Sequence, residues 1–127
     1  MVESKGMAPK VLIVDDDPLV RELASDLVSE AGLEPVTVAT GDEALDAVKA
    51  HRPALVVLDV MLPGTDGLTL CKAIKSDPQF KGIKVAVTTG RTFKGEKERA
   101  MRCGADLYLQ KPYDSAAFIG LIRRLLE

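Results

Sequence analysis

Five times along this chain a short apolar run of strand length gives way to a stretch patterned as helix, and that alternation admits few folds. The runs are 11–14, 35–39, 55–58, 84 to 88 or 89, and 107–110. The first and third are uninterrupted apolar residues, the pattern of strands buried on both faces, as in a parallel sheet. The intervening stretches carry helix signals. Asp17 reads as an N-cap and Pro18 as the first helical residue. Leu19, Val20, Leu23, Leu27 and Val28 then recur at helical spacing until Gly32 ends the helix. Thr40 and Glu43 form a capping box for a second helix, which runs to about His51 and is broken by Pro53. A loop at 61–67, with Pro63 and two glycines, leads into a third helix through Leu70 and Ile74 that ends near Asp77-Pro78. A polar helix over roughly 95–103 stops before Gly104, and 116–126 is the last.

Five β-then-α units in series predict one α/β domain with helices on both faces of a parallel sheet. The expected topology is a flavodoxin-like, doubly wound (βα)5 sheet with strand order 2-1-3-4-5 and right-handed crossovers. Residues 1–9 read as a flexible N-terminal tail, and 10–127 as the domain. With 17 basic and 19 acidic side chains, the chain lacks the concentrated positive charge of a direct nucleic-acid partner. No apolar run approaches the length needed to span a bilayer, and residues 1–9 carry no signal-peptide stretch, so the location predicted is cytoplasmic. Cys71 and Cys103 show no metal or redox spacing and read as reduced, buried thiols.

The residues that break the apolar pattern fall at strand ends, where open α/β sheets bind ligands. Asp15 and Asp16 close the first strand and Asp59 closes the third, its neighbour in the expected order. Carboxylates brought that close resist common ionisation, and a hard divalent cation such as Mg²⁺ resolves the conflict. Thr89 closes the fourth strand, and Lys111-Pro112 closes the fifth. A metal, a nucleophilic carboxylate, a hydroxyl and an ammonium at one edge are what phosphoryl transfer to a carboxylate requires.

These residues lie in the segments V-D-D-D at 14–17, V-V-L-D-V-M-L-P-G-T-D-G at 56–67, V-T-T-G at 87–90 and Y-L-Q-K-P-Y at 108–113. From about Lys10 to its end the chain resembles the receiver domain of bacterial response regulators. The resemblance implies that Asp59 accepts a phosphoryl group, with Asp16, Asp59 and the backbone carbonyl of Met61 on Mg²⁺ and Asp15 acting through water. It implies that Thr89 hydrogen-bonds the phosphoryl group and that Lys111 pairs with it. Tyr108 matches the switch aromatic that moves inward with the threonine, and Lys111-Pro112 matches a peptide bond that is typically cis. The positions two beyond the aspartate and the threonine, which tune the lifetime of the phosphorylated state, are Met61 and Arg91. The implied partners are a sensor histidine kinase or histidine phosphotransfer protein and a downstream effector that the residues do not name.

Other readings are weaker. Thr88 rivals Thr89, but the family pattern places the threonine directly before a small residue, here Gly90. A phosphatase working through aspartyl phosphate would carry a second acid where this chain has Met61. An inert receiver-like interaction module would have no need of Asp16, Asp59, Thr89 and Lys111 together. His51 stands at a helix C-terminus and suits the dipole there. Lys94, Lys97, Arg99 and Arg102, interspersed with Glu96 and Glu98, read as a solvated helix face. Leu107 and Leu121 stand where receivers that form charged dimers tend to carry an acid and an arginine, so a monomer or weak dimer is expected. The residues decide neither the output nor whether this is a stand-alone regulator or the receiver of a longer protein.

Overall fold

The apolar runs form one parallel sheet of five strands: β1 (Lys10–Val14), β2 (Glu34–Val38), β3 (Leu55–Asp59), β4 (Lys84–Thr89) and β5 (Leu107–Gln110). Their order is β2-β1-β3-β4-β5, as the alternation predicts. The helices are α1 (Pro18–Glu30), α2 (Gly41–His51), α3 (Gly67–Ser76), α4 (Glu96–Arg102) and α5 (Ser115–Leu125). The computed structural model describes residues 8–91 and 93–127, so most of the stretch read as a tail lies outside the described residues.

Strand alternation divides the core into two layers. Val11, Ile13, Leu55, Val57 and Ala86 pack against Ala24, Leu27 and Val28 of α1 and Phe118 and Ile122 of α5. Leu12, Val14, Val56, Leu58, Val85 and Val87 face the other way, onto α2, α3 and α4. Register fixes the functional edge: Val14 pairs with Leu58, Asp59 with Thr88, and Thr89 with Gln110.

The caps follow the sequence. Asp17 accepts from the Leu19 amide, Pro18 opens α1, and Gly32 turns the chain at φ +86°. At α2 the Thr40 hydroxyl accepts from the Glu43 amide, while Glu43 reaches back to the Ala39 amide at 3.3 Å instead of the Thr40 amide.

Three expectations need correction. Leu19 and Leu23 do not lie on the buried stripe of α1; they are 75% and 40% exposed. The face turned to the sheet runs through Ala24, Leu27 and Val28, and because an i, i+4 row turns about 40° per step, the row running back from Leu27 through Leu23 to Leu19 drifts off that face. The 61–67 segment is more than a loop, since Met61–Leu62 pairs antiparallel with Thr65–Asp66. Its return is so tight that a Cβ on Gly67 would lie 2.3 Å from the Asp59 carbonyl oxygen, so only glycine fits. Finally, Glu96 is not part of a solvated face: it is buried in the first turn of α4.

Candidate functional site

β1 and β3 lie side by side in the sheet, and their ends deliver the acids together. One oxygen from each of Asp15, Asp16 and Asp59 falls within a group spanning no more than 4.8 Å. Asp15 and Asp59 are buried, and Asp16 is exposed at the mouth. Each buried acid is steered by local backbone: Asp15 accepts from the Asp17 amide at 2.9 Å, and Asp59 from the Met61 amide at 3.3 Å. Arg21, one turn into α1, donates to the Asp15 carbonyl oxygen at 2.7 Å and so ties β1 to the helix that follows it.

Lys111 supplies the local positive charge. Its backbone amide donates to the Thr89 carbonyl oxygen at 2.8 Å, which fixes the end of β5 against β4. The Nζ then lies 2.7 Å from Asp15 and 3.3 Å from Asp59. The Lys111-Pro112 peptide bond is cis. Burial disfavours the lysine's charge, but the hydrogen bond to Asp15 and the charges of Asp59 and Asp15 outweigh it and raise its pKa. Burial raises the Asp59 carboxyl above the ordinary aspartate range; Lys111 opposes that shift and Asp15 adds to it. One ammonium against three carboxylates leaves the pocket short of positive charge. An all-oxygen donor set with one open, exposed member therefore fits a divalent cation of the Mg²⁺ kind.

The two threonines of β4 point to opposite layers. Thr88 lies on the Tyr113 side, where Tyr113 stacks on Phe118 at 4.7 Å, and donates to the Leu58 carbonyl oxygen at 3.5 Å. Thr89 lies on the Tyr108 side of the sheet, and its hydroxyl donates to the Arg91 carbonyl oxygen at 2.5 Å and accepts from the Arg91 amide at 3.2 Å. The acids and Lys111 are thus assembled, while the Thr89 hydroxyl is engaged with its own loop. Met61 stands 63% exposed beside the acids. The Arg91 guanidinium lies over the Phe93 ring, 5.5 Å from its centroid, and makes no ion pair with the acids.

Sequence reasoning missed Glu96. Its carboxylate accepts the Tyr108 phenol at 2.6 Å. The signal available was Glu96 with Ala100, a buried i, i+4 pair, but the charges around it pointed to solvent. His51 is the exposed last residue of α2, as read.

Comparison with known proteins identifies the family. Residues 11–123 match the model of the response regulator receiver domain. The polar-differentiation response regulator DivK of Brucella anthropi is 36% identical over 120 residues, 94% of this chain and 98% of that protein. The transcriptional regulatory protein BaeR of Escherichia coli is 35% identical, but the chain spans only 48% of its length. Among solved structures, the BeF3-activated N-terminal receiver domain of Klebsiella pneumoniae RstA superposes with a TM-score of 0.85 at 30% identity, covering 93% of this chain and 98% of that one. Receiver domains interact with histidine kinases or phosphotransfer proteins and with downstream effectors, and the chain belongs to this family, the response regulator receivers of phosphorylation-activated two-component signalling.

Proposed function

We propose that Asp59 is the phosphoacceptor of a cytoplasmic signalling switch, taking its phosphoryl group from a sensor histidine kinase or a histidine phosphotransfer protein. The observation that carries this is the Lys111 Nζ bridging Asp15 and Asp59 at 2.7 and 3.3 Å within the three-acid cluster. In the reaction an Asp59 oxygen attacks phosphorus. The bond from phosphorus to the donor nitrogen or acyl oxygen breaks, and its electron pair leaves with the donor. Asp16, Asp59 and the Met61 carbonyl would hold Mg²⁺ directly and Asp15 through water; when bound, the ion neutralises charge on the transferring oxygens. Lys111, 3.3 Å from Asp59, would pair with a phosphoryl group there, and Thr89 would donate to it once its hydroxyl leaves Arg91. Tyr108 follows Thr89 as the switch aromatic. Exposed Met61 and Arg91 flank the approach of hydrolytic water and offer no acid or amide to orient it, so phospho-Asp59 decays over minutes or longer. Among the described residues no helix is long and apolar enough to cross a membrane. The activated domain stays a monomer or weak dimer, since Asp106 is committed to Lys75 at 2.9 Å and Arg123 to the carbonyl end of α1.

The test is incubation of the full chain with acetyl phosphate and Mg²⁺, followed by intact-mass analysis. One phosphoryl group per chain, lost in Asp59→Asn, is the expected result. Full labelling of the Asn variant would overturn the assignment; catalytic release of phosphate would indicate an enzyme, and no label an inert module.

A further inference from the structure

The first residue of α4 is an acid shut away from water. Glu96 is 2% exposed, and a carboxylate so placed is costly unless a partner offsets its lost hydration. Its side chain does not cap its own helix: the N-cap is Gly95, which has no side-chain cap bond, and the Glu96 amide donates to the Phe93 carbonyl oxygen. The carboxylate turns across to β5 instead and accepts the Tyr108 hydroxyl at 2.6 Å, one of the interactions Tyr108 makes. At the other end of the same segment, Thr89 is tied to Arg91 in both directions. The connection between β4 and α4 is therefore pinned twice, by Thr89 on Arg91 and by Glu96 on Tyr108.

We infer that Glu96 is a positioning residue that latches Tyr108 and α4 in the unphosphorylated arrangement. This rests on the reading of Asp59 and Thr89 above. A threonine hydroxyl has one proton, so Thr89 cannot donate to the Arg91 carbonyl and to a phosphoryl oxygen at once. Donating to the phosphoryl group frees the start of the connection, and the Glu96–Tyr108 bond then opposes any movement of α4. Because that bond belongs to the resting arrangement, it biases the equilibrium between the two states by its own free energy. Tyrosine at 108 is needed for its hydroxyl; phenylalanine would fill the same space without the latch.

The test uses the full chain with Mg²⁺ and BeF3⁻ as the phosphoryl mimic, read as the BeF3⁻ concentration giving half-saturation. Tyr108→Phe and Glu96→Ala are each expected to lower it about tenfold, the scale of one charged hydrogen bond. The double variant should match Tyr108→Phe, because the Glu96 bond is already gone once the phenol is. Glu96→Gln, which keeps an acceptor oxygen, should restore most of the parent value, a rescue that a space-filling role would not produce. Unchanged or weaker binding by Tyr108→Phe, or additive effects in the double variant, would overturn the latch. Tyr108→Phe carries the test alone if Glu96→Ala does not fold. Absence of BeF3⁻ binding by the parent chain would refute the Asp59 reading, and the latch with it.

Discussion

The centre of the sheet and its β5 edge are built to different standards. β1 and β3 are buried along almost their whole length, and each ends in a carboxylate fixed by backbone and by Lys111. At the edge, β5 is only half-buried, and α4 is seven residues long without a side-chain cap. What secures the edge is a few polar bonds: Glu96 with Tyr108, Thr89 with Arg91, and Asp106 with Lys75 and the Val85 amide. Geometry that chemistry depends on sits where close packing leaves no alternative. Response sits where single hydrogen bonds decide between arrangements.

The comparison breaks first at its centre. Lys111→Met leaves two buried carboxylates without a cation, and this should cost about 3 kcal/mol in divalent-free buffer at neutral pH, measured by urea denaturation. A loss below ~1 kcal/mol would mean that the acids are better hydrated than their burial implies. Next comes Gly67→Ala. Its Cβ would meet the Asp59 carbonyl oxygen at 2.3 Å and Val60 Cα at 2.7 Å, and both are backbone that cannot swing aside. The expected cost is about 2 kcal/mol or more, together with weakened Mg²⁺ binding because the Asp59 backbone must shift. Normal metal affinity in a destabilised variant would separate the fold's need for Gly67 from the site's.

The threonines sharpen the same contrast within one strand. Thr88 ties β4 to β3 through the Leu58 carbonyl oxygen, so Thr88→Val should lower stability by about 1 kcal/mol and leave acetyl phosphate labelling of Asp59 intact. Thr89→Val loses only its two bonds to Arg91 in the adjoining loop, so it should cost less stability while uncoupling labelling from any movement of α4. Equal effects of the two would erase the distinction between centre and edge.

Much of the centre is legible in the sequence because strand ends are marked by residue type. Apolar runs that stop at Asp15 and Asp59 announce both strand order and site, and Lys111-Pro112 closes the set. The edge is less legible because its contacts join residues whose local patterns say something else. Glu96 lies in E-K-E-R, which reads as solvated helix until Tyr108 is known to lie across from it. Leu19 and Leu23 follow helical spacing, yet which stripe is buried depends on where the sheet lies. The spacing of Cys71 and Cys103 gives no hint that the Cys71 thiol donates to the Cys103 carbonyl oxygen at 3.8 Å.

Those two cysteines give the finest test, since they straddle the boundary between centre and edge. Cys71, on α3, is fully buried, and Cys103, half-buried, is the C-cap of α4. Burial pushes the Cys71 thiol up to about 12, with the nearby Cys103 adding to the shift. Thiolate is the reactive form, so at pH 8 iodoacetamide should modify half-buried Cys103 in the native chain, and Cys71 far more slowly. Cys71 should react only through openings that part α3 from α4. Comparable rates would mean that the edge's looseness reaches the core, against the division drawn here. The same shift has a signature in stability. A thiol whose folded pKa lies above its unfolded value contributes stability that is complete below the unfolded pKa and lost as pH rises through the folded one. Between pH 9 and about 12 the unfolded chain ionises Cys71 while the folded chain holds the proton. Unfolding free energy should therefore fall by about 1.4 kcal/mol per pH unit from this group alone. Tyrosines and lysines titrate over the same range, so the measurement is the difference from Cys71→Ala, whose profile should be flatter by that slope. Parallel profiles would show that Cys71 titrates as an exposed thiol does.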